Sequence, residues 1–381
     1  MEKNNNEKIN TSKPFILENN EKKLRRGWTT GACAAAGAKA AVEAILGKVF
    51  VDPVVVDLPR GIKQPFEISE FVMGSNWARV GIRKDAGDDP DVTHGALILT
   101  EVRRNKERSG ITFQAGEGVG IVTKPGLPIS IGEPAITAGP RKYISEAVCS
   151  VAEKYKKLAD FEIIISIPGG KELAKKTLNE RLGVNGGLSI LGTTGVVIPF
   201  SCGAWIASIH RGVDVARAAK MPHIAAATGR TSELGVKTLH GLPDVAIIDM
   251  GDFAGGLLKY LSVNTVRRLT IAGGFTKIAK LAAGHLDLHS AKSQVDLSIL
   301  GKHAENLGAN AKLINSINSA NSGGEAMSIA LNAKLPLPDL VAKNACAVVR
   351  KEIEQRGTSI ITFLDIAIFD RSGRLVGHAN G

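Results

Sequence analysis

Apolar and polar positions follow three different patterns along this chain. Between Ala32 and Ala44 nearly every residue is small and apolar, and Lys39 and Glu43 are the only charges before Lys48. A helix facing solvent would carry a polar stripe, so this pattern predicts a helix packed against protein on most of its surface. Thr29 or Thr30 stands where a hydroxyl caps the first turn. The unpaired N–H groups and the helix dipole there form a seat for an anion, which makes Thr29, Thr30 and Gly31 candidate substrate contacts. From Phe50 to Lys124 the pattern changes to short β-branched runs between Gly, Pro and Asp turns: 50–58, 66–72, 78–83, 96–103 and 111–114. With a second helix expected at 141–156, these strands predict an α+β domain over residues 24–155.

Beyond that point the pattern changes again. The strand 161–167 ends in Pro-Gly-Gly before a helical stretch at 171–179. The apolar runs 223–227, 244–249 and 268–272 each lead through Gly or small polar residues into helical segments. Repeated strand–turn–helix units predict an α/β, doubly wound, mostly parallel-sheet domain over 156–381, with ligands beyond the carboxyl ends of its strands. A helix at 338–355 and a hairpin of 359–369 with 375–377 close the chain. Residues 1–23 carry six asparagines, nine charged side chains and little to bury, which predicts a flexible extension without the apolar run of a signal peptide.

One stretch invites a different reading. Leu182 to Ile209 contains no charged residue, long enough for a membrane span, but it holds six glycines and Pro199. Buried loops around a cleft fit it better, and no membrane association is expected.

Composition adds an electrostatic constraint. The net charge is +11 with 44% hydrophobic and 22% charged residues, a basic globular protein expecting an acidic partner. Aromatic residues are only 4% and no nucleic-acid module is recognisable, so a polycarboxylate or polyphosphate small molecule explains the charge as well as nucleic acid does. Cys33, Cys149, Cys202 and Cys346 are far apart, which argues against a disulfide or metal framework and fits a reducing cytoplasm.

The loop Lys84–Gly95 places Asp85, Asp88, Asp89 and Asp91 within seven residues, with His94 three further on. Crowded carboxylates raise one another's pKa, so Asp89, Asp91, His94 and Asp85 are candidate catalytic bases. The alternative is a solvated acidic turn. Gly116-Glu-Gly-Val-Gly120 lacks the following helix of a dinucleotide fingerprint and reads as a tight turn. Lys124 and Arg141, flanking it, are candidate carboxylate partners. Gly192-Thr-Thr-Gly195 offers backbone donors and the Thr193 and Thr194 hydroxyls for the polar end of a cofactor. Asp249 and Asp252 lie at a strand end, where such sites hold ribose hydroxyls. Lys277, Lys280, His285 and His289 form a further polar set and are candidate substrate contacts; the two histidines lack a third metal ligand, and no metal site is expected.

Taken in order, Gly27–Cys33, Lys84–Gly95, Val119–Pro128, Gly132–Ala135, Asn179–Ser201 and Lys277–Ser290 resemble the cobalt-precorrin-5B C(1)-methyltransferases of anaerobic cobalamin biosynthesis, the CbiD family. The resemblance runs from about Leu24 to the C-terminal hairpin. Where the family pattern has Asn-Pro after Ala135-Ile136, this chain has Thr137-Ala138. Membership implies S-adenosyl-L-methionine as methyl donor and cobalt-precorrin-5B, methylated at C-1 to cobalt-precorrin-6A, as acceptor. Cobalt would come only as part of that polycarboxylate tetrapyrrole. It also implies a cytoplasmic enzyme touching its pathway neighbours only transiently. A nicotinamide dehydrogenase and a nucleic-acid-binding protein remain as rivals.

Overall fold

The computed structural model describes residues 24–356 and 361–381; the expected extension at 1–23 and the first residues of the expected hairpin strand lie outside them. Strand β1 (Gly27–Trp28) leads into α1 (Thr30–Gly47), which Thr29 caps by accepting from Ala32 N at 3.2 Å. Its alanines are nearly all inaccessible, and its lack of bulk lets strands approach closely: a Cβ on Gly37 would sit 2.8 Å from Thr100 Oγ1. Glu43, buried on this helix, is held by Lys154 Nζ at 3.0 Å and Tyr155 OH at 2.9 Å.

Around α1 stand the hairpin β2 (Val54–Leu58) with β3 (Ile62–Phe66), and a sheet made of β4 (Glu70–Met73), β5 (Trp77–Arg83), β6 (Leu97–Arg104) and β7 (Ile111–Ala115). After the short β8 (Ile121–Val122) and α2 (Ala138–Lys154), β9 (Phe161–Ser166) inserts between β6 and β7, antiparallel to one and parallel to the other. Apolar residues alternate along β9, so Phe161, Ile163 and Ile165 face the core of α1 and α2. This corrects the expected boundary at residue 155. A strand that hydrogen-bonds on both edges belongs to the sheet it completes, and the same core runs on through Leu188 and Ile190. The first unit continues through α3 (Gly170–Ala174), β10 (Val184–Asn185) and β11 (Val196–Val197), the last pairing back onto β1.

Helix α4 (Cys202–Ala218) opens the second unit. Its sheet holds β12 (His223–Ala227), β13 (Ile247–Asp249), β14 (Arg268–Gly274), β15 (Phe363–Phe369) and β16 (Leu375–Asn380) in the order β13-β12-β14-β15-β16. Four strands are parallel and β16 is an antiparallel edge. Both faces are covered, as near-continuous apolar strands require. Val236 of α5 (Arg230–His240) lies on one face with Ala225, Ala227 and Ile247. On the other face α6 (Ala254–Leu261), α7 (Phe275–Ala282) and α11 (Leu337–Arg356) meet Ile224, Ile271 and Ile366. Helices α8 (Leu297–Asn306), α9 (Ala311–Asn318) and α10 (Gly323–Asn332) fill the connection from β14 to β15, where the sequence pattern assigns no element.

Among the described residues no helix is long and apolar enough to cross a membrane. The uncharged stretch from Leu182 resolves into β10, β11, loops and the first half of α4.

Candidate active site

The acidic loop is built as a set of paired charges. Arg25 forks onto Asp85, with Nη2 2.9 Å from Oδ1, and its backbone N donates to Asp88 at 2.6 Å. Gly87 N donates to Asp85 at 2.9 Å. Lys84, only 1% exposed in its side chain, places Nζ 2.7 Å from Asp91 Oδ2, and Thr93 gives that carboxylate its N–H and hydroxyl. The Arg25 hydrogen bond is the largest cause holding the Asp85 carboxyl down at about 2. Burial pushes Asp91 up, but the Lys84 ammonium and the Thr93 donors outweigh it and leave that carboxyl below its ordinary value.

These geometries correct part of the sequence reading. Each carboxylate has a partner of its own, so mutual repulsion raises neither Asp85 nor Asp91, and neither is a base near neutrality. His94 Nδ1 accepts from Ala86 N at 3.1 Å, which leaves the neutral ring with its proton on Nε2, on an exposed side chain. His94 therefore offers a donor, not a base. Asp89 differs from its neighbours in being reached from α4's side: Oδ1 accepts from Phe200 N at 2.8 Å, and like Asp88 it has no cationic side-chain partner among the described residues.

The depressed Asp85 carboxyl has a consequence for acid stability. A group whose folded pKa lies below its unfolded value near 3.9 stabilises above that value and loses its contribution as pH falls towards about 2. Melting curves of wild type and Asp85→Asn should differ at pH 5 and converge as pH approaches 2. A gap independent of pH would mean that the contribution is not ionic.

The contact from Asp89 to Phe200 joins the acidic loop to the second unit. Phe200 precedes Ser201, which caps α4 by accepting from Ala204 N, and Trp205 lies one turn into that helix. Trp205 packs near Phe253, with ring centroids 6.4 Å apart, and against Gly251, just past the carboxyl end of β13. Phe200 and Trp205 are 66% and 46% exposed, with Ile198 beside them also exposed. The uncharged stretch was expected as buried loops around a cleft; Val184, Leu188 and Ile190 are buried, while Ile198, Phe200 and Trp205 leave an apolar ledge exposed towards its end. The sequence signal, two aromatics in an uncharged run of a chain poor in aromatics, does not say which side they face.

Below the ledge, the loops after β12 and β13 meet. Lys277 of α7 donates to Thr228 O at 3.0 Å and pairs with Asp252, its Nζ 2.9 Å from the buried Oδ1. Burial and the nearby Glu233 push the Asp249 carboxyl up. Arg181, from the loop after α3, crosses from the first unit to pair with Glu233 of α5. Its Nη1 is buried without a partner. Sequence reasoning missed Arg181 because its role depends on a residue 52 positions away. Lys124 lies in the same region, packed on Gly183 and acting with Arg181 to lower Asp244, where the Lys237 hydrogen bond is the main cause.

Other expected site residues are committed elsewhere. Thr29 and Thr30 are buried: Gly31 N donates to Leu191 O, and Thr30 Oγ1 accepts from Leu191 N at 3.0 Å. The chain itself occupies the anion seat of α1. Gly192, Thr193, Thr194 and Gly195 form the cap over that helix end, with Gly195 O accepting from Thr29 N and Gly192 O from Tyr143 OH. They belong to the first unit and not, as expected, beside Asp249 and Asp252. Arg141 is bound to Ile136 O, Pro134 O and Glu133, and Lys280 is buried on Leu288 O at 3.0 Å. His285 and His289 lie exposed in a loop, not on a helix.

The chain matches the family model described as CbiD over residues 17–199 and that described as CbiD, C-terminal domain, over 287–380. It is 52% identical over 360 residues to the cobalt-precorrin-5B C(1)-methyltransferase of Paramagnetospirillum magneticum, covering 94% of this chain and 99% of that protein. It is 51% identical to the protein of the same name from Methylorubrum extorquens, with 93% and 97% covered. For Agrobacterium fabrum the figures are 51%, 95% and 94%. A crystal structure titled cobalamin biosynthesis protein (cbiD) from Archaeoglobus fulgidus is 31% identical, with a TM-score of 0.39 and 71% of this chain and 83% of that one covered.

Proposed function

This chain belongs to the CbiD family, and we propose that its methyl transfer takes place where the acidic loop, the apolar ledge and the carboxyl ends of β12 and β13 come together. The activity is that of a cobalt-precorrin-5B C(1)-methyltransferase of cobalamin biosynthesis. The observation that carries the placement is the hydrogen bond from Phe200 N to Asp89, which brings a carboxylate of the loop without a cationic side-chain partner to the edge of the ledge.

S-adenosylmethionine is the donor in this reading, and the residues fit it. Arg181 keeps a buried donor nitrogen, complementary to the carboxylate of such a ligand, and Asp252 Oδ1, buried and 2.9 Å from the Lys277 ammonium, can also accept from its hydroxyl or ammonium. Asp249 and Asp252 lie beside the point where strand order reverses, between β12 and β14, which is where open parallel sheets bind ligands. Bound there, the sulfonium supplies the methyl group.

The chain's own residues do the rest. Phe200, Trp205 and Ile198 present an apolar surface for the face of a macrocycle and keep water from it. Lys124, Lys277 and the +11 charge of the whole chain favour the carboxylates of such a substrate. Asp89 Oδ2, with Oδ1 held by Phe200 N, takes the proton whose loss makes the acceptor carbon electron-rich.

Calorimetric titration with S-adenosylhomocysteine tests the donor site. Asp252→Ala and Asp249→Ala should each weaken binding about tenfold or more, the scale of losing a hydrogen bond to a charged group. Unchanged affinity in both variants would remove the donor from this edge.

A further inference from the structure

The opposite edge of the second sheet carries a cluster that the methyl transfer does not use. His223 begins β12, His240 ends α5, and Asp365 lies near the start of β15, so the three meet at the amino-terminal ends of the parallel strands. One ligand atom from each lies within 4.8 Å of the other two, and this is the one such group of three among the described residues. His240 Nε2 is 3.1 Å and His378 Nε2 3.3 Å from Asp365 Oδ2. Thr270 Oγ1 donates to Asp365 Oδ1 at 2.9 Å and stands 2.7 Å from His223 Nε2. Arg268 Nε reaches the same oxygen at 3.3 Å.

We propose that His223, His240 and Asp365 form a binding site for a divalent transition-metal ion of the zinc class. Two imidazoles and a carboxylate are a donor set of that class. Donors bound at about 2.0–2.1 Å around a tetrahedral ion stand roughly 3.3 Å apart. The edge from His240 to Asp365 already has that length. His223 closes the remaining edges by releasing Thr270 and turning towards Asp365. Each ring then ligates through Nε2 after its proton passes to Nδ1 through solvent, so no net proton change is needed. The rings are suited to ligation: burial above all, then Arg268 and His240, pushes His223 down to about 4, and burial outweighs Asp365 in lowering His240. His378 orients the carboxylate from outside the ligand set. Arg268 opposes the ion, but its side chain is 38% exposed and can turn to solvent. A fourth position stays open to water. At this edge the ion would cross-link α5, β12 and β15.

The test uses the full chain, stripped with a chelator and titrated with Zn²⁺ against a chromophoric competitor while thermal unfolding is followed in parallel. Wild type should bind one equivalent and melt at higher temperature in its presence. His223→Ala and His240→Ala should lose both effects, and His378→Ala should weaken binding about tenfold. His240→Gln retains a hydrogen-bonding group beside Asp365 but is a poor ligand, so its loss of binding separates ligation from folding. The double variant His285→Ala/His289→Ala should bind as wild type does. The proposal is overturned if wild type binds no equivalent, or if binding survives in His223→Ala and His240→Gln. It is equally overturned if binding disappears when only His285 and His289 are removed. In any of those cases the cluster is a hydrogen-bonded network alone.

Discussion

Asp89→Asn lowers the turnover of cobalt-precorrin-5B methylation by roughly a hundredfold, the usual scale for losing a general base and equivalent to about 2.7 kcal/mol of barrier. The substitution is chosen because it is nearly isosteric. The amide oxygen still accepts from Phe200 N, so the link between the loop and α4 survives while the proton acceptor is removed. S-adenosylhomocysteine affinity should therefore be unchanged, and the loss should fall on turnover rather than on the Michaelis constant. The neighbouring carboxylates provide the contrast. Asp85 and Asp91 are held ionised by Arg25 and Lys84, so Asp85→Asn should cost far less turnover than Asp89→Asn. His94→Ala should be mild as well, because that ring presents a donor. Single-turnover methylation under anaerobic conditions measures all three. Wild-type rates in Asp89→Asn would make the whole loop structural.

Lys84→Met lowers the stability of the folded chain by about 3 kcal/mol, near the lower end of the cost of stranding one member of a buried ion pair. The ammonium is essentially inaccessible, while Asp91 remains a quarter exposed and keeps its Thr93 donors, which limits the damage. The double variant Lys84→Met/Asp91→Leu should be more stable than the single one, since it leaves no uncompensated charge. Urea unfolding of the three proteins is the measurement. A loss under 1 kcal/mol in Lys84→Met would mean that the pair is solvated in practice.

Elements governed by local pattern were legible from the residues. The Ala-rich run could only be a packed helix, and Thr29 caps it as the sequence indicates. The runs at 223–227 and 268–272 became parallel strands because buried β-branched and small residues admit little else at that length. The six motif segments carried the family, and with it the activity. Pairing decided the rest. Whether Phe161–Ser166 joins the first sheet or the second depends on the edges offered to it, which no local spacing encodes. The acidic loop shows the same limit at the site. Four aspartates close in sequence suggest repulsion, but Arg25, Lys84 and Phe200 N, supplied by the fold, give three of them separate partners. A carboxylate's pKa follows from what lies within a few ångströms of it, and those neighbours are set by tertiary structure. The same holds for Arg181 with Glu233 and for His223, His240 and Asp365, which are remote in sequence and meet only because parallel strands align their ends. The sequence by itself determined elements such as α1, β12, β14 and α11, and to which family the chain belongs. Only the tertiary structure decided which charged groups are spent on holding the chain together and which remain free for chemistry.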